Sequence, residues 1–300
     1  MKRHASDLNS NAEVCHMKFH AVVLFAFLSA ALADATPFFF TTGNPDGLIA
    51  VASRPSGSGL IEIEAADDFI LSSPTLITSA TFVGLLPTSA PLSTITSVDI
   101  EIYRVFPADS DVSRTSGAPT FSTVNVPTRV NSPSDFEFDS RSSGSDLTFT
   151  AGVISAAFTA ANSVVNGIIP KPNQQTGGEG SVTGEEVQFN VVFTNPFSLP
   201  ADHYFFVPQV QLSDGTFLWL SAPRPIVPPG TPLSPDLQAW IRNENLQPDW
   251  LRVGTDIVGG NTTFNMTFSL VGETVVPEPA TLAVSGLTLL AVGLIRRRLR

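Results

Sequence analysis

Residues Val98-Asp99-Ile100-Glu101-Ile102-Tyr103-Arg104-Val105 alternate apolar and polar side chains without a break. That period of two confines the segment to a half-buried β-strand, with Val98, Ile100 and Ile102 on one face and Arg104 at its end. Weaker versions of the pattern recur over 60–64, 67–71, 77–83, 187–193 and 264–270, and shorter strand-like runs over 147–150, 204–207 and 217–220. Asp214-Gly215 between the last two is a hairpin turn signal. Only 14% of residues are charged, against 24 prolines and 21 glycines, the composition of many strands joined by turns. The fold class expected is all-β, a β-sandwich or jelly roll.

Other stretches are less regular. Residues 107–146 are rich in Ser, Thr, Pro and Asp, which predicts long loops around short strands at Phe121 and at 136–138. Residues 151–169 fit strand or helix equally. Residues 170–184 read as a glycine-rich loop, with Gly177-Gly178-Glu179-Gly180 as flexible linker, 223–235 as a proline-rich loop, and 236–246 as one short helix.

The two ends are of another character. Met17-Lys18-Phe19-His20 precedes an apolar run over 21–33 that closes on Ala31-Leu32-Ala33, the make-up of a secretory signal cut by signal peptidase. Residues 1–16 are polar and unlike the start of such a signal, which points to Met17 as the translation start. At the other end, Pro277-Glu278-Pro279 precedes an apolar stretch over 280–295 and then Arg296, Arg297, Arg298 and Arg300. Sixteen residues make a helix of about 24 Å, marginal against a hydrocarbon core of roughly 30 Å, so the segment suits a temporary transmembrane anchor. The arginines would stay cytoplasmic and leave the body outside. The organisation expected is a signal over 1–33, a body over 34–275 and a sorting tail over 276–300.

This tail resembles the PEP-CTERM sorting signal of Gram-negative bacteria. The resemblance implies cleavage near Pro277-Glu278-Pro279 by exosortase and delivery to the cell surface or extracellular matrix. A looser resemblance joins Asp67-Asp68-Phe69, Ile77-Thr78-Ser79, residues 199–204 and the Trp219 strand to β-sandwich modules common in exported anchored proteins.

Charge and chemistry exclude several functions. The formal net charge is −11, and the basic residues are unevenly placed, with Lys2, Arg3 and Lys18 at the front, four arginines at the end, and Lys171 as the lone lysine of the body. Such a surface repels phosphate backbones, so no nucleic-acid partner is expected. Cys15 lies ahead of the signal run and His203 is the one histidine of the body, too little for structural zinc. A serine triad would have to rest on His203, without a nucleophile elbow. Glu185-Glu186 would face opposite ways on a strand.

The remaining candidates are weak. Asp67 and Asp68, or Asp109 and Asp111, could give carboxylates to calcium. Asp67 and Asp68 equally suit an Asx turn or a cap before a strand, and Asp109 and Asp111 a solvated loop. Trp240 and Trp250 could stack on sugar rings, while Trp219 fits a core better. Asn261-Thr262-Thr263 and Asn265-Met266-Thr267 are formal glycosylation sequons, which in a bacterial chain read as strand threonines. No cofactor is expected. The expectation is a non-enzymatic exported protein, with extracellular polysaccharide as a candidate partner; a carbohydrate-binding module or a carboxylate hydrolase stand as alternatives.

Overall fold

The computed structural model describes residues 35–275, except 58, 89, 111–128, 170, 172, 173 and 248. The signal run, Phe121, Asp111, Pro277, Glu278, Pro279, Arg296, Arg297 and Arg298 therefore lie outside the described residues. The body, Thr36–Val275, forms one compact unit.

The body is all-β. Its strands are β1 (Pro37–Thr41), β2 (Ile49–Ala52), β3 (Ile63–Leu71), β4 (Thr75–Pro87), β5 (Ile95–Arg104), β6 (Asp139–Ser142), β7 (Leu147–Ala160), β8 (Asn162–Val164), β9 (Val182–Leu199), β10 (Asp202–Leu212), β11 (Leu218–Ala222), β12 (Trp240–Asn243), β13 (Leu251–Arg252), β14 (Asn265–Met266) and β15 (Phe268–Thr274). One sheet runs β1-β15-β4-β11-β2-β8, with β9 and then β7 branching from β4, and β14 from β11. The other runs β13-β12-β3-β10-β5-β6. All pairings are antiparallel except β2 with β8.

The alternation read from 98–105 holds in space: Val98, Ile100 and Ile102 are buried in the main core while Asp99 and Glu101 point the other way. That core is where the two sheets meet. Phe206 of β10 stacks on Phe268 of β15 with centroids 5.0 Å apart, and Phe69 of β3 lies 6.5 Å from Phe40 of β1. Phe82 stacks on Phe189 at 4.8 Å. Trp219 is fully buried among them, its indole N–H donating to the Thr267 carbonyl at 2.7 Å, so its only polar atom is satisfied.

β4 and β11 approach closely at Gly84, opposite Trp219. A Cβ there would sit 2.2 Å from the Phe217 ring and 2.6 Å from the Leu218 carbonyl oxygen. Gly84→Ala should lower unfolding free energy by about 1–3 kcal/mol, because a fully buried ring and the backbone behind it must both yield. Chemical denaturation of wild type and variant measures it.

Two expectations need correcting, and one left open is decided. Residues 236–246 contain no helix: Trp240–Asn243 is a strand, recruited by pairing with Ile63–Ala66 of β3. Cross-strand partners far away in sequence outweigh local helix preference there. The strand expected at 136–138 lies at Asp139–Ser142 instead, on the free side of β5. In the ambiguous 151–169, residues through Ala160 are strand because β9 offers β7 a long partner, Asn162–Val164 pairs with β2, and the remainder is irregular. Among the described residues β7 pairs only with β9 and carries no charge; register breaks at Val153/Ser155 and Ser155/Phe158 interrupt its open edge. Such bulges are one means by which sheet edges avoid running on into other chains.

Among the described residues helix is limited to a three-residue 3-10 turn, Leu92–Thr94, and a π-helical turn, Val253–Val258.

Candidate functional site

The outer face of the six-stranded sheet carries the unusual chemistry. Where the inner face reads Ile63, Ala65, Phe69, the outer face of β3 presents Glu64, Ala66 and Asp68. β12 places Arg242 opposite Glu64 and Trp240 opposite Ala66. β5 contributes Glu101 and Tyr103, and β10 supplies Phe205 and Val207 between them. Ala66, Tyr103, Phe205, Val207, Leu237, Trp240 and Trp250 form a second, smaller apolar cluster on this face.

Within it lies a buried ion pair. Arg242 Nε bonds Glu64 Oε2, and Nη2 donates to Glu64 Oε1 at 2.9 Å and to the Tyr103 hydroxyl oxygen at 2.8 Å. Nη1 reaches the Asp135 carbonyl at 3.3 Å. The guanidinium also stands over the Trp250 ring at 4.5 Å and the Tyr103 ring at 5.1 Å. Burial alone would raise the Glu64 carboxyl, but the Arg242 charge and its hydrogen bonds outweigh that and hold it below its ordinary value. Burial would lower Arg242, and the Glu64 charge reverses the sign.

Glu101 is the opposite case. Burial, then the Glu64 charge beside it, pushes its carboxyl up to about 10. It is thus a neutral acid at pH 7. The Tyr103 hydroxyl lies 2.7 Å from Glu64 Oε1 and 3.0 Å from Glu101 Oε2. The single hydroxyl proton of Tyr103 is shared between these two acceptors, its oxygen accepts from Arg242, and the Glu101 carboxyl is hydrogen-bonded to Glu64. Glu62 completes the group, receiving Gln209 at 3.1 Å and Gln247 at 3.0 Å. Burial and the nearby Glu64 raise its carboxyl as well. Glu62, Glu64 and Glu101 each offer an oxygen within 4.8 Å of the others, ligand spacing for a cation. Arg242 already occupies that role, and adjoining carboxylates with opposite shifts are what acid–base pairs are made of.

Of the sequence candidates, Trp240 and Trp250 belong to this cluster but are each 3% exposed. Arg129 stands 5.1 Å over the Trp240 ring, and Trp250 packs edge-on to Tyr103 at 5.4 Å with its N–H on the Ser134 carbonyl at 3.1 Å. Neither ring presents an open face to a sugar, because the surrounding segments fold over them. Asp67 and Asp68 are not in a turn or cap; both sit inside β3, 1% exposed, on opposite faces. Asp68 on the outer face bonds His203 Nε2 at 2.6 Å and the Leu237 amide at 3.0 Å. Its carboxyl is raised to about 6 by burial, against the lowering effect of His203. That bond gives the one body histidine a structural partner.

Asp109 has a left-handed backbone, φ 54°, and pairs with Arg104 Nε at 3.3 Å. Glu179 in the glycine-rich loop is no free linker residue: it accepts the amides of Val165, Asn166 and Gly167 at 2.6, 2.9 and 2.7 Å, tying the loop down. Asn265, of the second sequon, is 1% exposed, buried where a glycan could not attach. The sequence reading missed Glu62, Glu64, Glu101, Tyr103 and Arg242. The i, i+2 spacing of Glu62 with Glu64 and of Glu101 with Tyr103 places each pair on one face, but an outward polar face reads as solvated until a second layer is known to cover it.

Residues 275–298 match the family model of the PEP-CTERM protein-sorting motif. The chain carries a PEP-CTERM sorting signal. It is accordingly an exported bacterial protein sorted through exosortase, with transient passage at the membrane. Pro277, Glu278, Pro279, Arg296, Arg297 and Arg298 all fall within the PEP-CTERM match. No curated protein and no solved structure matches the chain.

Proposed function

We propose that the PEP-CTERM signal delivers a non-enzymatic β-sandwich module to the cell surface or extracellular matrix, after removal of both apolar ends. The PEP-CTERM match beginning at residue 275, one residue past β15, carries this reading. The two ends of the body support it. β1 pairs with β15 from Pro37↔Glu273 to Thr41↔Ser269, and Thr36 and Thr274 hydroxyls lie 2.8 Å apart. Both cuts therefore fall just outside a completed strand pair, so removing either segment leaves the sheet hydrogen bonds intact.

The alternatives have less behind them. Carbohydrate binding loses its stacking faces with Trp240 and Trp250 covered. A carboxylate hydrolase would draw on Glu64 and Glu101, whose oxygens are already engaged by Arg242 and Tyr103.

Intact-mass measurement of the protein from its native host tests the proposal. The expected product begins near Asp34 or Thr36 and ends near Pro277–Pro279. A product still carrying Leu282 to Arg300 would leave an ordinary membrane-anchored protein in its place.

A further inference from the structure

Asp67 faces the interior between the two sheets. Its Oδ2 accepts the Met266 amide of β14 at 2.8 Å, while its Oδ1 is buried with no hydrogen-bond partner. The neighbour of that amide, Asn265, is 1% exposed. Asn265 Nδ2 donates to Asp236 Oδ2 at 3.3 Å, which leaves its carbonyl oxygen as the free end, and this oxygen too is buried without a partner. Asp236 Oδ1 is a third such atom. Buried polar atoms are nearly always satisfied, so three orphan oxygens on side chains linked through residues 265 and 266 require an explanation. Protonation could relieve a carboxylate. An amide oxygen has no such remedy; it needs a donor or a cation.

We infer that Asp67, Asp236 and Asn265 form a binding site for a hard divalent cation, calcium by preference. The donor set is all oxygen, two carboxylates and one amide carbonyl, which is the chemistry calcium selects; water and main-chain carbonyls would bring the number to the usual six to eight. Asp68 is not part of it, since its side chain lies on the other face and is taken by His203 and Leu237. Arg224 borders the group but does not supply the missing donors. Its Nη1 goes to Thr263 at 2.7 Å, its Nη2 to the Asp236 carbonyl at 2.6 Å, and its Nε stays 3.8 Å from Asp236 Oδ2. A cation held here would join β3 of one sheet to β14 of the other and to the segment leading into β12. Its binding free energy would then appear as stability of the whole body, because the unfolded chain holds no such arrangement.

The test uses full-length protein in detergent, stripped of metal with EDTA and melted across a calcium chloride titration. The expected result is a saturable rise of roughly 5–10 °C once calcium reaches a hundred times its dissociation constant. Terbium should bind the same site and be sensitised by Trp219, whose strand pairs with β14 at Ser221↔Met266. Asp67→Asn and Asp236→Asn should each abolish the rise and the terbium signal. Should Asp67→Asn not fold, Asp236→Asn at the half-buried rim decides alone. A melting temperature indifferent to calcium overturns the inference, as does a calcium-dependent rise that Asp236→Asn retains in full.

Discussion

Arg242→Ala is expected to lower the unfolding free energy of the body by about 3–5 kcal/mol, the usual cost of stranding a buried charge by removing its partner. Glu64 is 1% exposed, and Arg242 is the cation bonded to its carboxylate. Without it, Glu64 must take up a proton or admit water, and the Asp135 carbonyl and the Trp250 face lose their contacts too. Urea titration followed by tryptophan fluorescence gives the number, read from the midpoint at constant slope. The double replacement Glu64→Leu with Arg242→Leu should recover most of the loss, because an apolar pair of similar volume requires no desolvation of charge. If the single and double variants are equally unstable, packing around Arg242 and not its charge is what matters.

How far this was legible from sequence depends on which face of a strand is asked about. The inner faces were readable. Val98, Ile100 and Ile102 alternate with polar residues, and every second residue of a strand must share a face. The strand at 187–193 was legible in the same way, that at 204–207 as a short apolar run, and the PEP-CTERM signal because a membrane address is written in linear order. The outer face of β3 was not. Glu62-Ile63-Glu64 looks like a half-buried strand with one wet side, and only the fold shows that Trp240, Trp250 and the loop around Ser134 and Asp135 close over it. β12 was misread for a related reason. Four residues have little intrinsic preference of their own, and the pairing that makes them a strand lies some 180 positions away, Arg242 opposite Glu64. Asp67 and Asp68 were singled out as oxygen donors from sequence, but their division between the two faces follows only from their being inside a strand.

Stability of the body should fall as pH rises from about 5 to 9, and Glu101→Gln should remove much of that slope. Glu101 has a folded value of about 10 against about 4.5 in the unfolded chain, so across this window the folded state holds a proton that the unfolded state has released. Whatever stability that proton confers is complete below the unfolded value and is lost progressively as pH climbs through the window toward the folded value. The groups facing Glu101 explain the direction: Glu62 and Glu64 approach from β3 and its lead-in, Glu137 from the segment before β6, and Tyr103 from its own strand. Arg242 is the one opposing charge, and Glu64 takes most of it. Glu64 has the reverse sign. Its depressed carboxyl contributes stability above its unfolded value, which is lost only as pH falls below about 4.5. The two together place the maximum near pH 5, and Asp68, raised to about 6, adds to the decline at the acidic end of the window. Gln at 101 keeps an acceptor for the Tyr103 hydroxyl and a donor toward Glu64, and cannot ionise. At pH 8 the variant should therefore be more stable than wild type by about 1–2 kcal/mol or more, because wild type must take up a proton at Glu101 on folding and the variant need not. Urea midpoints at pH 5, 7 and 9 for both proteins decide it. Parallel curves would show that Glu101 is ionised in the fold and that its carboxyl holds no proton there.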